Sequence, residues 1–318
     1  MTGEQKLRNL LSSTEIVLED KIFERIRQSS NFAVRMFAAR ELRDAILLYQ
    51  DALKIPQTST KMAVLRNDNV SIGEILPMEG CSQAMFFWAF EGALPCVLKV
   101  PLEWSKVEAE CQFYTNNRNA AEKAPLVPVK VLIMDSGSYH SPEHSPTKVI
   151  QKGILMPKYS GCLFNNPIPL SNENALQVGG RILDALTCMH DCGYFHGDVK
   201  PGNIFLDSTG EAWLGDYGSS VKIVDVKNFV GGTARYQCME VPAYTDVGQE
   251  KISSRKFDLM GLALTLLEKL GKIALDDGVG VTVSVVKDSI DAWWTPFASE
   301  DANSTAENLK SLLESLVK

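Results

Sequence analysis

Several things are missing from this chain, and each absence removes a class of function. No apolar run approaches the length of a membrane-spanning helix, and Met1-Thr2-Gly3-Glu4-Gln5 does not open a secretory signal. There is no basic excess. Lys and Arg number 32 against 39 Asp and Glu, a formal net charge of −7, which argues against nucleic acid or a membrane surface as the main partner. Seven cysteines, an odd number, are scattered without paired ligand spacing. Cys188 and Cys192 stand four apart with no second ligand pair, so buried free thiols are expected rather than a metal site. The expected compartment is reducing and intracellular, cytoplasmic or nuclear. His140 and His144 also lack metal-binding partners, and the segment Ser136 to Thr147 around them reads as a mobile loop. Internal repeats and low-complexity tracts are absent, and nothing in the pattern specifies an oligomeric state.

What is present is ample apolar material: 45% of 318 residues, enough for two lobes and a sizeable core. Residues 1–60 read apart from the rest. Ile16, Leu18, Ile22, Phe23 and Ile26, then Phe37, Leu42, Ile46, Tyr49 and Leu53, recur at helical spacing among charged residues, and Pro56 with its polar neighbours closes the section. Two or three amphipathic helices are expected there, packed on the main domain or presented to a partner.

The most informative stretch is His196-Gly197-Asp198-Val199-Lys200-Pro201-Gly202-Asn203, with Asp216-Tyr217-Gly218 following. Phosphoryl transfer from ATP needs an acid to orient the attacking hydroxyl and cations to hold the triphosphate, and little covalent help besides. Asp198 suits the first task. Asn203 and Asp216 offer the hard oxygen ligands that magnesium prefers, and Lys200 can neutralise charge on the phosphoryl group in flight.

These two stretches resemble the H-R-D-x-K-x-x-N catalytic loop and the D-F-G motif of protein kinases, in the non-RD (H-G-D) variant with Gly197 for Arg and Tyr217 for Phe. The resemblance implies an α+β, two-lobed protein kinase-like fold over residues 61–318. A small β-rich N-lobe would span about 61–157 and a larger helical C-lobe about 158–318, preceded by the helical extension 1–60. It also implies ATP and Mg2+ as cofactors and a protein substrate. Lys200 in Asp198-Val199-Lys200-Pro201 matches serine/threonine kinases better than tyrosine kinases. A small-molecule phosphotransferase and a pseudokinase acting as a binding or scaffold module stand as alternatives.

Other assignments follow from the same likeness. Met85–Phe90 and Cys96–Val100 read as strands around a turn at Glu91-Gly92-Ala93, and Lys99 falls where the V-A-I-K lysine pairs with the α- and β-phosphates. A helix from Trp104 to about Asn116 carries Glu108 and Glu110. The apolar residues that follow Glu110 favour it as the partner of Lys99. The phosphate-covering loop departs from G-x-G-x-x-G: Gly80-Cys81-Ser82-Gln83-Ala84 keeps one glycine, with Ser82 as a small neighbour. Ile154 to Gly161 resembles the strand and hinge that receive adenine, with Met156 as gatekeeper, the Pro157 carbonyl for the amino group and the Tyr159 amide for the ring.

Leu176–Met189 has helical periodicity, and Ile204–Leu206 with Ala212–Leu214 read as two short strands. Gly232 to Glu240 resembles G-T-x-x-Y-x-A-P-E, with Thr233 expected to position peptide and Cys-Met in place of Ala-Pro. Asp258 would bond the backbone of the catalytic loop, and His196 is assigned to structure. No arginine follows Arg255, so the usual ion-pair partner of Glu240 is missing. Two or three further helices are expected after Gly271. Gly197 removes the buried charge that demands a phosphate in many kinases, so activity is expected without activating phosphorylation.

Overall fold

The computed structural model describes residues 70–76, 84–101, 105–135, 150–166, 169–229, 231–241, 250–276, 280–295 and 304–317. The expected helices of residues 1–60, the loop residues Gly80 and Ser82, and the segment Ser136 to Thr147 lie outside them. The fold is α+β. The chain forms two compact units, Met1–Glu108 with Val129–Pro157, and Ala109–Pro128 with Lys158–Lys318.

The first unit is built on one antiparallel sheet of five strands: β1 (Val70–Leu76), β2 (Ala84–Glu91), β3 (Leu94–Pro101), β4 (Lys130–Asp135) and β5 (Ile150–Pro157), in the order β1-β2-β3-β5-β4. Gly92, with φ 61°, makes the β2–β3 turn that the sequence placed at residues 91–93. On β3 the residues Cys96, Leu98 and Val100 are buried while Val97 and Lys99 between them are half-buried, the period-two alternation of a pleated strand. Lys99 therefore does not trail off an exposed end. It lies on a central strand, opposite Phe86 of β2 and Ile154 of β5.

The boundary between the units falls inside helix α1 (Ser105–Asn116), after Glu108. The second unit continues through the short α2 (Arg118–Ala121) to its main helix α3 (Asn172–Asp191). That helix begins earlier than periodicity suggests because the Ser171 hydroxyl accepts the Asn174 amide at its start. Its buried stripe of Val178, Ile182, Ala185, Leu186 and Met189 packs against α4 (Glu250–Lys269) and α6 (Ser304–Val317). Gly179 permits a close approach, since a Cβ there would lie 2.6 Å from a Leu312 methyl and 2.9 Å from one of Leu266. Helix α5 (Val283–Trp294) and α6 are the two described helices beyond Gly271. Two small antiparallel sheets complete the unit: β6 (Gly161–Cys162), β8 (Ile204–Leu206) and β9 (Ala212–Leu214) in the order β6-β8-β9, and β7 (Tyr194–Phe195) paired with β10 (Val221–Lys222).

Candidate active site

The loop that follows β7 is anchored from below by one carboxylate. Asp258 on α4, 1% exposed, accepts the His196 amide on Oδ2 and the Gly197 amide on Oδ1, both at 2.8 Å. Its Oδ2 also lies 2.8 Å from His190 Nε2. The expected backbone contact is present, and His190 of α3 is a further partner that nothing local in the sequence signals. His196 is fully buried. Its Nδ1 accepts the Asp198 amide at 3.2 Å, so the other nitrogen, Nε2, carries the proton and donates to the Gly215 carbonyl at 3.0 Å. Both ring nitrogens serve the backbone, a structural role.

Above this base, three side chains close a triangle. Asp198 Oδ1 accepts the Thr233 hydroxyl at 2.8 Å, Oδ2 lies 2.7 Å from Lys200 Nζ, and Lys200 donates to Thr233 Oγ at 2.8 Å. Asn203 is 4% exposed and donates through Nδ2 to the Asp198 carbonyl at 2.8 Å and to its carboxylate at 3.2 Å. A short 3₁₀ turn over Pro201–Asn203 makes this reach possible, with Pro201 at its start, where the amide that proline lacks has no helical partner. The Asp198 side chain keeps 12% of its surface and Lys200 28%, so the triangle remains in contact with solvent.

Asp216 stands two residues past β9, before the 3₁₀ turn Tyr217–Ser219, in the left-handed region, φ 61° and ψ 72°, the one described non-glycine residue with positive φ. Aspartate tolerates that conformation better than most residues. A Cβ at Gly218 would lie 3.5 Å from Asp216 Oδ1 and 3.7 Å from Glu110 Cδ and Oε2, so these two carboxylates flank the same glycine. Tyr217 between them is 1% exposed, and its hydroxyl is within 2.9 Å of the Val127 carbonyl and 3.0 Å of that of Leu214. The tyrosine that replaces phenylalanine therefore has acceptors for its extra polar atom. Burial pushes this phenol well above its ordinary pKa.

The donor set suits magnesium. With Asn203 Nδ2 committed to Asp198, the atom left to a cation is the Oδ1 oxygen, and Asp216 supplies a second hard ligand. Among the described residues no three His, Cys, Asp or Glu side chains form a metal cluster. Magnesium does not need one, because it retains waters and takes phosphate oxygens beside one or two protein ligands.

The two glutamates of α1 separate cleanly. Glu108 is exposed and pairs with Lys152, whose hydrogen bond and charge hold its carboxyl below the usual range. Glu110 is buried, with 8% exposure. Lys99, Met156 and Pro157 belong to the first unit. Met156 is half-buried opposite Val97, and Pro157 ends β5, exposed, opposite Cys96. Tyr159 belongs to the second unit, its ring 5.6 Å from that of Phe205 and 6.2 Å from that of Trp213. Burial, then the charge of Asp207, raises its phenol. Asp207 itself turns β8 into β9. Burial pushes its carboxyl up, but hydrogen bonds from Thr209, Trp213 and the Thr209 and Glu211 amides outweigh this and bring it to about 2.

The segment from Gly232 to Glu240 is held at both ends. Arg235 and the Tyr236 hydroxyl share Glu268 of α4. The arginine that Glu240 lacks is replaced by backbone: its carboxylate accepts the Val283 amide at the first turn of α5, where the helix dipole favours an anion. Next to it, Met239 donates its amide to the Val281 carbonyl at 2.9 Å.

Comparison with known proteins gives a consistent result. A family model described as "Protein kinase domain" matches residues 149–318. Over 75 residues the chain is 39% identical to the serine/threonine-protein kinase US3 homolog of Gallid herpesvirus 2 (strain GA), covering 22% of this chain and 18% of that protein. Over 174 residues it is 27% identical to the serine/threonine-protein kinase PknB of Mycobacterium tuberculosis (strain ATCC 25177 / H37Ra), covering 53% and 27%. The chain thus spans less than a third of the length of these curated relatives. Among solved structures, that of the Cydia pomonella granulovirus kinase, PK-1, superposes with a TM-score of 0.51 at 16% identity, covering 77% of this chain and 87% of that one, a likeness of fold.

Proposed function

The chain belongs to the protein kinase domain family, and on that premise we propose that it transfers the γ-phosphoryl group of ATP to serine and threonine hydroxyls of protein substrates. The observation that carries this reading is the closed triangle of Asp198, Lys200 and Thr233, with Asn203 donating into it. An acceptor hydroxyl next to Asp198 gives up its proton to the carboxylate as its oxygen bonds the γ-phosphorus and ADP leaves. Lys200 Nζ, already beside that carboxylate, offsets negative charge on the moving phosphoryl group. Asn203 and Asp216 would hold magnesium, which when bound neutralises phosphate charge. The assignments of Lys99, Glu110, Met156, Pro157 and Tyr159 to the nucleotide rest on the family resemblance.

The preserved spacing from Gly232 to Glu240, and the tie from Thr233 into the triangle, support a peptide acceptor over a small molecule. The glycine-poor sequence at residues 80–84 supports the second reading, a kinase fold that binds partners without chemistry. Among the described residues, Cys96, Cys111, Cys162, Cys188, Cys192 and Cys238 form no disulfide, which suits a reducing compartment, cytoplasm or nucleus. Among the described residues, no helix is long and apolar enough to cross a membrane. The test is to incubate the purified chain with magnesium, γ-labelled ATP and a mixed protein acceptor. Label on serine or threonine that disappears with a chelator is expected. Label confined to a sugar or aminoglycoside acceptor would favour the small-molecule reading, and nucleotide binding without any transfer the binding module.

A further inference from the structure

Position 197 has no room for a side chain, and what fills the space is a ring from further along the chain. Gly197 has φ 81°, and a Cβ there would lie 2.7 Å from Phe229 Cε2 and 2.7 Å from the Ser219 carbonyl oxygen. Phe229 lies edge-on to Phe195 at 5.0 Å between centroids and to Phe257 at 5.7 Å. Those two rings meet each other at 6.4 Å with their planes at 90°. Ile223 and Val221 complete the cluster.

The placement of the three rings matters more than their number. Phe195 immediately precedes His196, whose amide Asp258 binds, and Phe257 immediately precedes Asp258. Phe229 thus packs against both neighbours of the bond that anchors the catalytic loop. Four residues after Phe229 comes Thr233, whose hydroxyl bonds Asp198 and Lys200. Two glycines of this stretch pack closely, Gly231 against Ser219 and Phe229 itself and Gly232 against the catalytic loop. A Cβ at Gly231 would lie 3.1 Å from Ser219 Oγ and 3.4 Å from Phe229 Cε2, and one at Gly232, φ 84°, would lie 2.9 Å from the Gly197 carbonyl oxygen.

We propose that Phe229 is a positioning residue for phosphoryl transfer: half-buried and packed against Gly197, Phe195 and Phe257, it pins the segment that follows and delivers the Thr233 hydroxyl to Asp198 and Lys200. The tether is apolar. It involves no charge, and so neither phosphorylation nor ionic strength sets its strength. The substitution of glycine at 197 and the phenylalanine at 229 are two halves of one device, since any larger residue at 197 would evict the ring. Its catalytic consequence rests on the phosphoryl-transfer reading above, whereas its structural consequence does not.

Both consequences are measurable on the full chain. In Phe229→Ala, kcat for a protein acceptor is expected to fall on the order of 10²-fold, as a small displacement of a catalytic group costs elsewhere, with KM for ATP within a few-fold. Amide hydrogen exchange should accelerate across residues 231–237 and stay unchanged in α3 and α6. Phe229→Leu, which keeps an apolar plug of similar reach, should recover most of the rate and most of the protection. If the alanine variant does not fold, Phe229→Leu against Phe229→Thr gives the same contrast at smaller amplitude. Unchanged exchange over residues 231–237, or acceleration spread equally over α3, α4 and α6, would overturn the tether. A wild-type chain that transfers no phosphate would overturn the enzymatic reading instead, and the exchange contrast would still decide the tether.

Discussion

Asp198→Asn is expected to lower turnover on the order of 10²–10⁴-fold, the range that a positioned proton acceptor contributes, while affinity for magnesium-ATP stays within a few-fold. The asymmetry follows from the bonds that the substitution spares. Asn203 still donates to the Asp198 carbonyl, a backbone contact made at 2.8 Å, and the His196 ring still accepts the residue-198 amide. The loop therefore keeps its course. An asparagine oxygen can accept the Thr233 hydroxyl, but its amide has neither the negative charge that holds Lys200 at 2.7 Å nor the basicity to take a proton from the acceptor hydroxyl. Single-turnover transfer and nucleotide titration on the same preparation separate the two effects. Turnover within two-fold of wild type would remove Asp198 from the chemistry.

Asp258→Ala is expected to be the most damaging change to stability, at about 3–5 kcal/mol, the usual cost of breaking a buried charged network, and to lower the unfolding temperature of a domain this size by roughly 10 °C. Three donors converge on this carboxylate: the amides of His196 and Gly197 and the Nε2 of His190. His190 and His196 are 5% and 0% exposed, so water does not readily replace the lost acceptor. Asp258→Asn keeps one acceptor oxygen and should cost about a third as much. Thermal unfolding of both variants checks the ranking. Equal, small losses would mean that the catalytic loop is anchored by packing alone.

Much of this site is legible in the sequence because the chemistry constrains spacing. Asp198, Lys200 and Asn203 sit within six residues of one another, and a turn over Pro201–Asn203 is enough to bring their side chains together. The strand that carries Lys99 is readable from the apolar run Cys96–Val100, and α3 from its stripe at helical spacing. Glu110 is favoured over Glu108 by the apolar residues after it; Glu110 is buried and Glu108 exposed. The first helical turn of α3 and the full length of α4 escaped periodicity, since Asn172, Glu173 and the polar start of α4 carry no apolar signal. Strand β4 falls outside the elements expected from the sequence. Least legible were contacts between distant positions: Tyr217 with the Val127 carbonyl, Glu240 with the Val283 amide, and Phe229 with Phe195 and Phe257. Each joins residues at least twenty-eight positions apart, and no local pattern encodes the partner.

The absence of a side chain at 197 has a kinetic meaning. An arginine in this buried place carries an unpaired charge until an anion arrives, and a loop organised around it waits for that anion. Here a ring occupies the space, and the Thr233 hydroxyl is already bonded to Asp198 and Lys200. A phosphate on Thr233 would break that triangle rather than complete it, because an ester oxygen has no proton to donate to Asp198.

The most direct measurement is therefore the initial rate of phosphoryl transfer by the phosphate-free chain. The chain is stripped with a phosphatase, freed of it, shown by mass to be unphosphorylated, and mixed with magnesium-ATP and a protein acceptor. Transfer that is linear from the first time point is the expected result. A lag that shortens when the phosphorylated chain is added, or no transfer at all, would contradict an active site assembled by Gly197, Phe229 and Thr233 without phosphorylation.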